Sequence, residues 1–209
     1  MKIAAVVLTG GKSKRFGTNK ALLQINGITL LHKTIKVAIA CKLQPIFISG
    51  ASIDYEINPT YKIINDEFES CGPVAGMVST TKYLRKNTDV DAALFIPTDL
   101  PALSSDTLLS LKNAFKSTFK NSLKNIDSAT NFLDGVYYSN HPIPLLLNIR
   151  SGAVYKNIKS IQLPCSIKHF TNNLNFIAIE ETSVANTLVN INTQSDWNKY
   201  LDETTGIKT

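Results

Sequence analysis

The feature that most constrains this chain is the alternation of short, nearly unbroken apolar runs with segments of helical periodicity. "IAAVVL" (3–8), "PIFIS" (45–49), "YKIIN" (61–65), "AALFIP" (92–97), "PLLLNI" (144–149), "NFIAIE" (175–180) and "TLVNI" (187–191) are too short for buried helices. They are also too evenly apolar for strands with one wet face, so they read as strands covered on both sides, as in a parallel sheet. Helical spacing falls between them, at 29–41, 73–86, 104–124 and 194–201. Strand followed by helix implies crossover connections, and therefore an α/β fold with a mostly parallel sheet. The length agrees, since 209 residues with 44% hydrophobic content suit one domain over 1–209 with one substantial core. No repeat, low-complexity stretch or Pro/Gly/Ser-rich linker marks a boundary.

One helix can be drawn residue by residue. Leu111, Phe115, Phe119 and Leu123 recur every fourth position, and Lys112, Lys116, Lys120 and Lys124 form a second row one position on. The first row is expected to face the core and the second to face solvent. A lysine row could also track nucleic acid, but it has no interleaved aromatics and no DNA- or RNA-binding module accompanies it, so no nucleic-acid partner is expected. The formal charge of +6 and pI near 9.2 fit an anionic ligand, and equally fit a chain kept soluble by lysine. Cys41, Cys71 and Cys165 are widely spaced and form no C-x-x-C pair, which indicates reduced thiols rather than a disulfide framework or a zinc site. There is no charged leader followed by an apolar stretch, and no apolar run of about 18 residues, so a cytoplasmic protein without a membrane span is expected.

The stretch "LTGGKSKRFGTNK" (8–20) follows the first strand and crowds Lys12, Lys14, Arg15 and Lys20 beside a glycine pair. In a parallel sheet, ligands collect beyond the carboxyl ends of the strands, where this loop begins. Gly10 and Gly11 let the backbone turn and present N–H groups to a phosphate. Arg15 offers a planar fork and Lys20 a compact charge, so the loop describes a triphosphate cradle, or a solvated turn with nearby cations. It is not a Walker A loop, because the glycine required before Gly11-Lys12-Ser13 falls on Val6, inside the strand. Nor is it a dinucleotide fingerprint, since the glycines stand at 10, 11 and 17.

A cationic cradle needs a carboxylate partner to hold a divalent cation at the reacting phosphate. "LFIPTDLPAL" supplies Asp99, just past the run 92–97, on the same expected edge as the glycine loop and in a turn stiffened by Pro97 and Pro101. An Asp beside prolines can equally cap a turn. "NDEFESCGPVAGM" (65–77) reads as an acidic loop entering a helix with Gly72-Pro73 at its start. In "LVNINTQSDW", Thr193 suits an N-cap.

Taken together, these segments resemble the nucleotidyltransferases of the molybdopterin guanylyltransferase type. Leu8, Gly10, Gly11, Ser13, Arg15, Gly17 and Lys20 fill the fixed positions of the signature L-x-G-G-x-S-x-R-x-G-x-x-K. "PTDLP" matches the P-x-D-x-P segment, 66–76 the D-x(5)-G-P-[LIV]-A-G element, and 189–197 the closing V-N-[VI]-N-T segment. The resemblance spans residues 3 to about 201 and implies a Rossmann-like three-layer α/β domain with a mixed, mostly parallel sheet. It implies catalytic roles for Arg15, Lys20 and Asp99, with Mg2+ on Asp99. Nucleotide contacts are implied at Leu8, Thr9, Gly10, Gly11, Lys20, Asp66, Gly72, Pro73, Gly76 and Asp99, and pterin contacts at Asn190 and Asn192. The implied reaction is transfer of GMP from GTP to the terminal phosphate of molybdenum-cofactor molybdopterin, with transient contact to other cofactor-biosynthesis proteins or target molybdoenzymes.

The chain departs from the pattern at Asn19, where many members have Asp, at Thr9 in place of a common Ala, and at His141 in place of Gln. "FISGAS" lacks an Asn that some relatives place after the second strand. His141 is expected in a loop rather than in catalysis. Related cytidylyltransferases and sugar-phosphate nucleotidyltransferases share similar openings. An adaptor that binds nucleotide or pterin without turnover is the alternative from another class, and the retention of Arg15, Lys20 and Asp99 argues against it.

Overall fold

The computed structural model describes residues 1–9, 19–50, 58–68, 72–124, 132–163 and 166–205. Strand β1 (Ile3–Leu8) leads to a 3-10 turn (Lys20–Leu22) and a small hairpin of β2 (Gln24–Ile25) and β3 (Ile28–Thr29). Helix α1 (Leu30–Ala40), β4 (Ile46–Ser49), β5 (Lys62–Ile64), α2 (Pro73–Asn87), β6 (Ala92–Pro97) and α3 (Ser105–Lys124) complete the first part. There follow β7 (Gly135–Tyr138), β8 (His141–Asn148), α4 (Gly152–Ser160), α5 (Ile167–Thr171), β9 (Phe176–Ile179), a 3-10 turn (Ala185–Thr187) and α6 (Gln194–Thr205). Seven strands form one sheet in the order β5-β4-β1-β6-β8-β7-β9. The first four are parallel, β8 runs against both β6 and β7, and β9 is parallel to β7. The protein thus has the expected Rossmann-like α/β architecture with a mixed, mostly parallel sheet.

The unbroken apolarity of the central strands has a direct cause. Ile3, Ala5 and Val7 of β1 enter one core with Leu31 and Ile35 of α1 and Leu108, Leu111 and Phe115 of α3. Ala4, Val6 and Leu8 enter a second core with Val74, Met77 and Val78 of α2, Val154 and Ile158 of α4 and Phe170 of α5. Strand side chains alternate sides, and here each side is covered by helices, so every position must be apolar. β6 repeats the division, with Leu94 and Ile96 on one side and Ala93 and Phe95 on the other.

The lysine row of α3 is only partly a solvent face. Lys116 and Lys120 are exposed, but Lys112 is half-buried and donates to the carbonyl of Cys41 at 2.7 Å, at the end of α1. A cation on the last carbonyls of a helix complements its dipole. The side chains of Leu123 and Lys124 lie outside the described residues, as do Cys71 and Cys165; Cys41 is a buried free thiol.

Two expectations need correction. "TLVNI" (187–191) is not a strand: it leaves the turn at Ala185–Thr187 and runs across the end of β6, where the Ile191 N–H donates to the Asp99 carbonyl at 2.9 Å. Its apolar residues are explained by packing, since Leu188 and Ile191 are buried and Val189 is 60% exposed. His141 is not in a loop but opens β8, paired with Tyr138. Among the described residues, no helix is long and apolar enough to cross a membrane.

Candidate active site at the carboxyl edge of the central strands

β1 and β6 end side by side, with Leu8 opposite Pro97. The chain leaving each is fixed at once. Both the N–H and the hydroxyl of Thr9 donate to the Ser49 carbonyl, at 3.0 and 2.8 Å, and the Thr98 hydroxyl donates to the Leu8 carbonyl at 3.4 Å. Thr9 is therefore not an idle replacement for Ala: its hydroxyl ties β1 to β4 at the root of the glycine loop. Gly10, Gly11, Ser13, Arg15 and Gly17 lie outside the described residues.

Asp99 projects from the turn after β6. Its Oδ2 lies 3.9 Å from the Lys20 ammonium, with the two side chains 25% and 17% exposed. Its Oδ1 is buried and has no hydrogen-bond partner among the described residues. Burial raises the Asp99 carboxyl above the usual aspartate range, opposed by the Lys20 charge and a backbone hydrogen bond. Lys20 opens its 3-10 turn under a cap from Asn19, whose Oδ1 accepts from the Ala21 N–H at 3.1 Å. Asn and Asp cap comparably, so the departure at Asn19 keeps the local structure. The Lys20 ammonium also donates to the Ile191 carbonyl at 2.6 Å and to Asn192 Oδ1 at 3.2 Å.

A second group forms beside β4. Asp66, just past β5, accepts from the Ser49 hydroxyl at 2.9 Å, and burial raises its carboxyl while the Ser49 bond lowers it. Gly76 is packed against this pair. A Cβ there would stand 2.6 Å from Ser49 Oγ, 3.2 Å from Asp66 Oδ1 and 3.5 Å from Leu8 Cδ2, so only glycine lets the first turn of α2 approach this closely. Gly72 enters α2 at φ 74°, with Pro73 at the first helical position. The Glu67 N–H donates to Ser79 Oγ at 2.9 Å, anchoring the Asp66 loop on the same helix.

Lys20, Asp99 and Asn192 are thus brought together, as are Leu8, Asp66 and Gly76, and Thr9 and Thr98 join the two groups across β1. Asn190 is exposed on the same C-terminal turn. Reading the sequence alone missed Ser49, Thr98 and the Ile191 carbonyl, and gave Asp196 no role beyond its place in the closing motif. Ser49 is the polar last residue of an apolar run, and Thr193-x-x-Asp196 has the spacing of a capping box, so both left a signal.

Among the described residues, no three His, Cys, Asp or Glu side chains are placed to share a metal ion. That does not disfavour Mg2+, which keeps several waters and takes one or two carboxylates together with substrate phosphates. A single carboxylate with one oxygen buried and unpartnered, beside a lysine, fits that requirement.

Comparison with known proteins agrees with the geometry. A probable molybdenum cofactor guanylyltransferase of Bacillus cytotoxicus is 25% identical over 206 residues, covering 95% of this chain and 96% of the relative. The structure of molybdopterin-guanine dinucleotide biosynthesis protein A from Archaeoglobus fulgidus superposes with a TM-score of 0.63 at 17% identity, covering 99% of this chain and 100% of the other. A 4-diphosphocytidyl-2C-methyl-D-erythritol synthase from Anaerococcus prevotii gives 0.61 at 13% identity, covering 96% and 98%. Residues 5–129 match the MobA-like NTP transferase domain; the chain belongs to that family and is a nucleotidyltransferase.

Proposed function

We propose that the chain transfers GMP from GTP to the terminal phosphate of molybdopterin, releasing pyrophosphate and forming the guanine dinucleotide of the molybdenum cofactor. The relatives' names supply the substrates of this reading. The observation that carries it is the buried, unpartnered Asp99 Oδ1 beside the Lys20 ammonium, at the edge where β1 enters the glycine-rich loop.

An oxygen of the acceptor phosphate attacks the α-phosphorus in line, the bond from that phosphorus to the β-phosphate oxygen breaks, and the electron pair leaves with pyrophosphate. The attacking oxygen is already anionic near neutral pH, so no side chain need remove a proton. Positioning and charge complementarity carry the reaction. Lys20 faces the triphosphate, Asp66 and the close approach of α2 at Gly76 bound the nucleoside side, and Asn190 is the candidate for the acceptor. Bound Mg2+, held through Asp99, would neutralise charge developing on the phosphates. Arg15 is the proposed second cation of the cradle.

The test is pyrophosphate release from GTP, and separately from CTP, with Mg2+ and molybdopterin. Acceptor-dependent release from GTP is expected. Release favouring CTP would replace the guanylyl reading with a cytidylyl one, and binding without release would replace it with the adaptor.

A further inference from the structure

Lys20 sits on a long flexible side chain whose usefulness to a phosphate depends on where its ammonium is held. Besides Asp99 Oδ2 at 3.9 Å, the described contacts that hold it come from the far end of the chain. Ile191 accepts at 2.6 Å through its carbonyl and Asn192 at 3.2 Å through Oδ1. The segment bearing these oxygens is itself fixed from three directions. The Ile191 N–H is bonded to the Asp99 carbonyl at 2.9 Å. The Ile191 side chain is buried in a small core with Ile25, Leu30 and Trp197. Asp196 Oδ2 accepts from the N–H groups of Asn192 and Thr193 at 2.9 and 2.8 Å, and the Asp196 N–H donates to Thr193 Oγ1 at 3.1 Å. This reciprocal cap sets the backbone at Asn192, and so the placing of both acceptors.

We propose that Asn192, held by the Asp196 cap, is a positioning residue that fixes the Lys20 ammonium for the triphosphate rather than a contact to the acceptor. The proposal rests on the reading of Lys20 as a phosphate-binding group. The chemistry of the side chain favours it. A neutral amide oxygen directs an ammonium without cancelling its charge, whereas a carboxylate at the same place would compete with the phosphate. These residues also lie beyond the 5–129 region that defines the family match, so the lysine of the first loop depends on a part of the chain outside it.

Two measurements on the intact protein test this, with thermal unfolding as a control for folding. The first is the acylation rate of Lys20, mapped by mass spectrometry. The second is equilibrium binding of GTP with Mg2+. Asn192→Ala should raise Lys20 labelling and weaken GTP binding by about tenfold, the loss expected for one charge-assisted hydrogen bond. Asn192→Asp should weaken GTP binding further while keeping Lys20 protected. Asp196→Ala should resemble Asn192→Ala, and Asp196→Asn, whose amide oxygen still accepts, should restore both readouts. Unchanged Lys20 labelling in Asn192→Ala overturns the proposal. So does unchanged GTP affinity with a raised KM for the acceptor, which would make Asn192 an acceptor contact. If the unaltered protein binds no nucleoside triphosphate while labelling still responds, the phosphate role of Lys20 falls and the holding contact stands.

Discussion

Ser49 donates its hydroxyl to Asp66 at 2.9 Å, joining the last residue of β4 to the loop that follows β5. The bond partly offsets the burial that raises the Asp66 carboxyl above its ordinary value of 3.8. A carboxyl raised in the folded state binds its proton more tightly there than in the unfolded chain. In the window from 3.8 upward to the raised value, the native state therefore carries more protons, and stability falls as pH rises.

Asp66→Asn removes that dependence. Urea midpoints measured from about pH 4 to about pH 7 should show a flatter profile and a variant more stable than the parent at the upper end. Ser49→Ala should act in the opposite sense, steepening the decline, because the Ser49 bond that favours the charged carboxylate is gone.

Asp99→Ala should lower turnover by on the order of 10²-fold or more at saturating Mg2+, the usual scale for losing one electrostatic contact at a reacting centre. Steady-state rates check this. Near-normal turnover would remove Asp99 from the reaction. Asp99→Asn should be as inactive yet no less stable than the parent near neutral pH, because burial disfavours the charge it deletes.

Gly76→Ala places a methyl 2.6 Å from Ser49 Oγ and 3.2 Å from Asp66 Oδ1, so α2 or the Ser49–Asp66 pair must give way. A cost of about 1–3 kcal/mol in stability is expected, with weaker nucleotide binding. The double variant with Ser49→Ala should cost less than the sum, by about 0.5 kcal/mol or more, because the nearest obstructing atom has been removed. Additive costs would place the crowding elsewhere.

Leu188 and Val189 are adjacent but opposite in role, at 0% and 60% exposure. Leu188→Ala should cost about 2–5 kcal/mol by leaving a cavity in the core shared with α3, whereas Val189→Ala should change stability by no more than about 0.5 kcal/mol. Denaturant titrations separate the two.

The parallel half of the fold was legible because its strands carry both cores, and a run such as "AALFIP" has no polar residue to blur its ends. β7 was missed: it is four residues, Gly135–Tyr138, opens on glycine and is partly irregular in its pairing with β8. α4 was missed although Ser151 caps it and Val154 and Ile158 lie one turn apart on its buried side, because it holds only nine residues. At 187–191 the reverse holds, since apolar content there reflects packing rather than sheet pairing. Leu188 and Ile191 are buried three positions apart, which breaks the period-two spacing of a half-buried strand. In the site, Lys20, Asp66 and Asp99 stand out through motif spacing, and Asn192 does so for a different role, but the other partners do not. The Ile191 carbonyl is a backbone group that no side-chain letter reports, and Ser49, marked only as a polar end to an apolar run, gains its partner Asp66 once β4 and β5 are neighbours.

All seven strands of the main sheet lie within residues 3–179, while the oxygens that steady Lys20 arrive at 191 and 192. A ribosome that has just released β9 has therefore supplied every strand of the scaffold, and Asp99 beside the lysine, but neither of these two oxygens. The strands and the oxygens that hold the Lys20 ammonium thus come from successive parts of the chain, and a message cut short between them encodes the whole sheet without the Ile191 and Asn192 contacts.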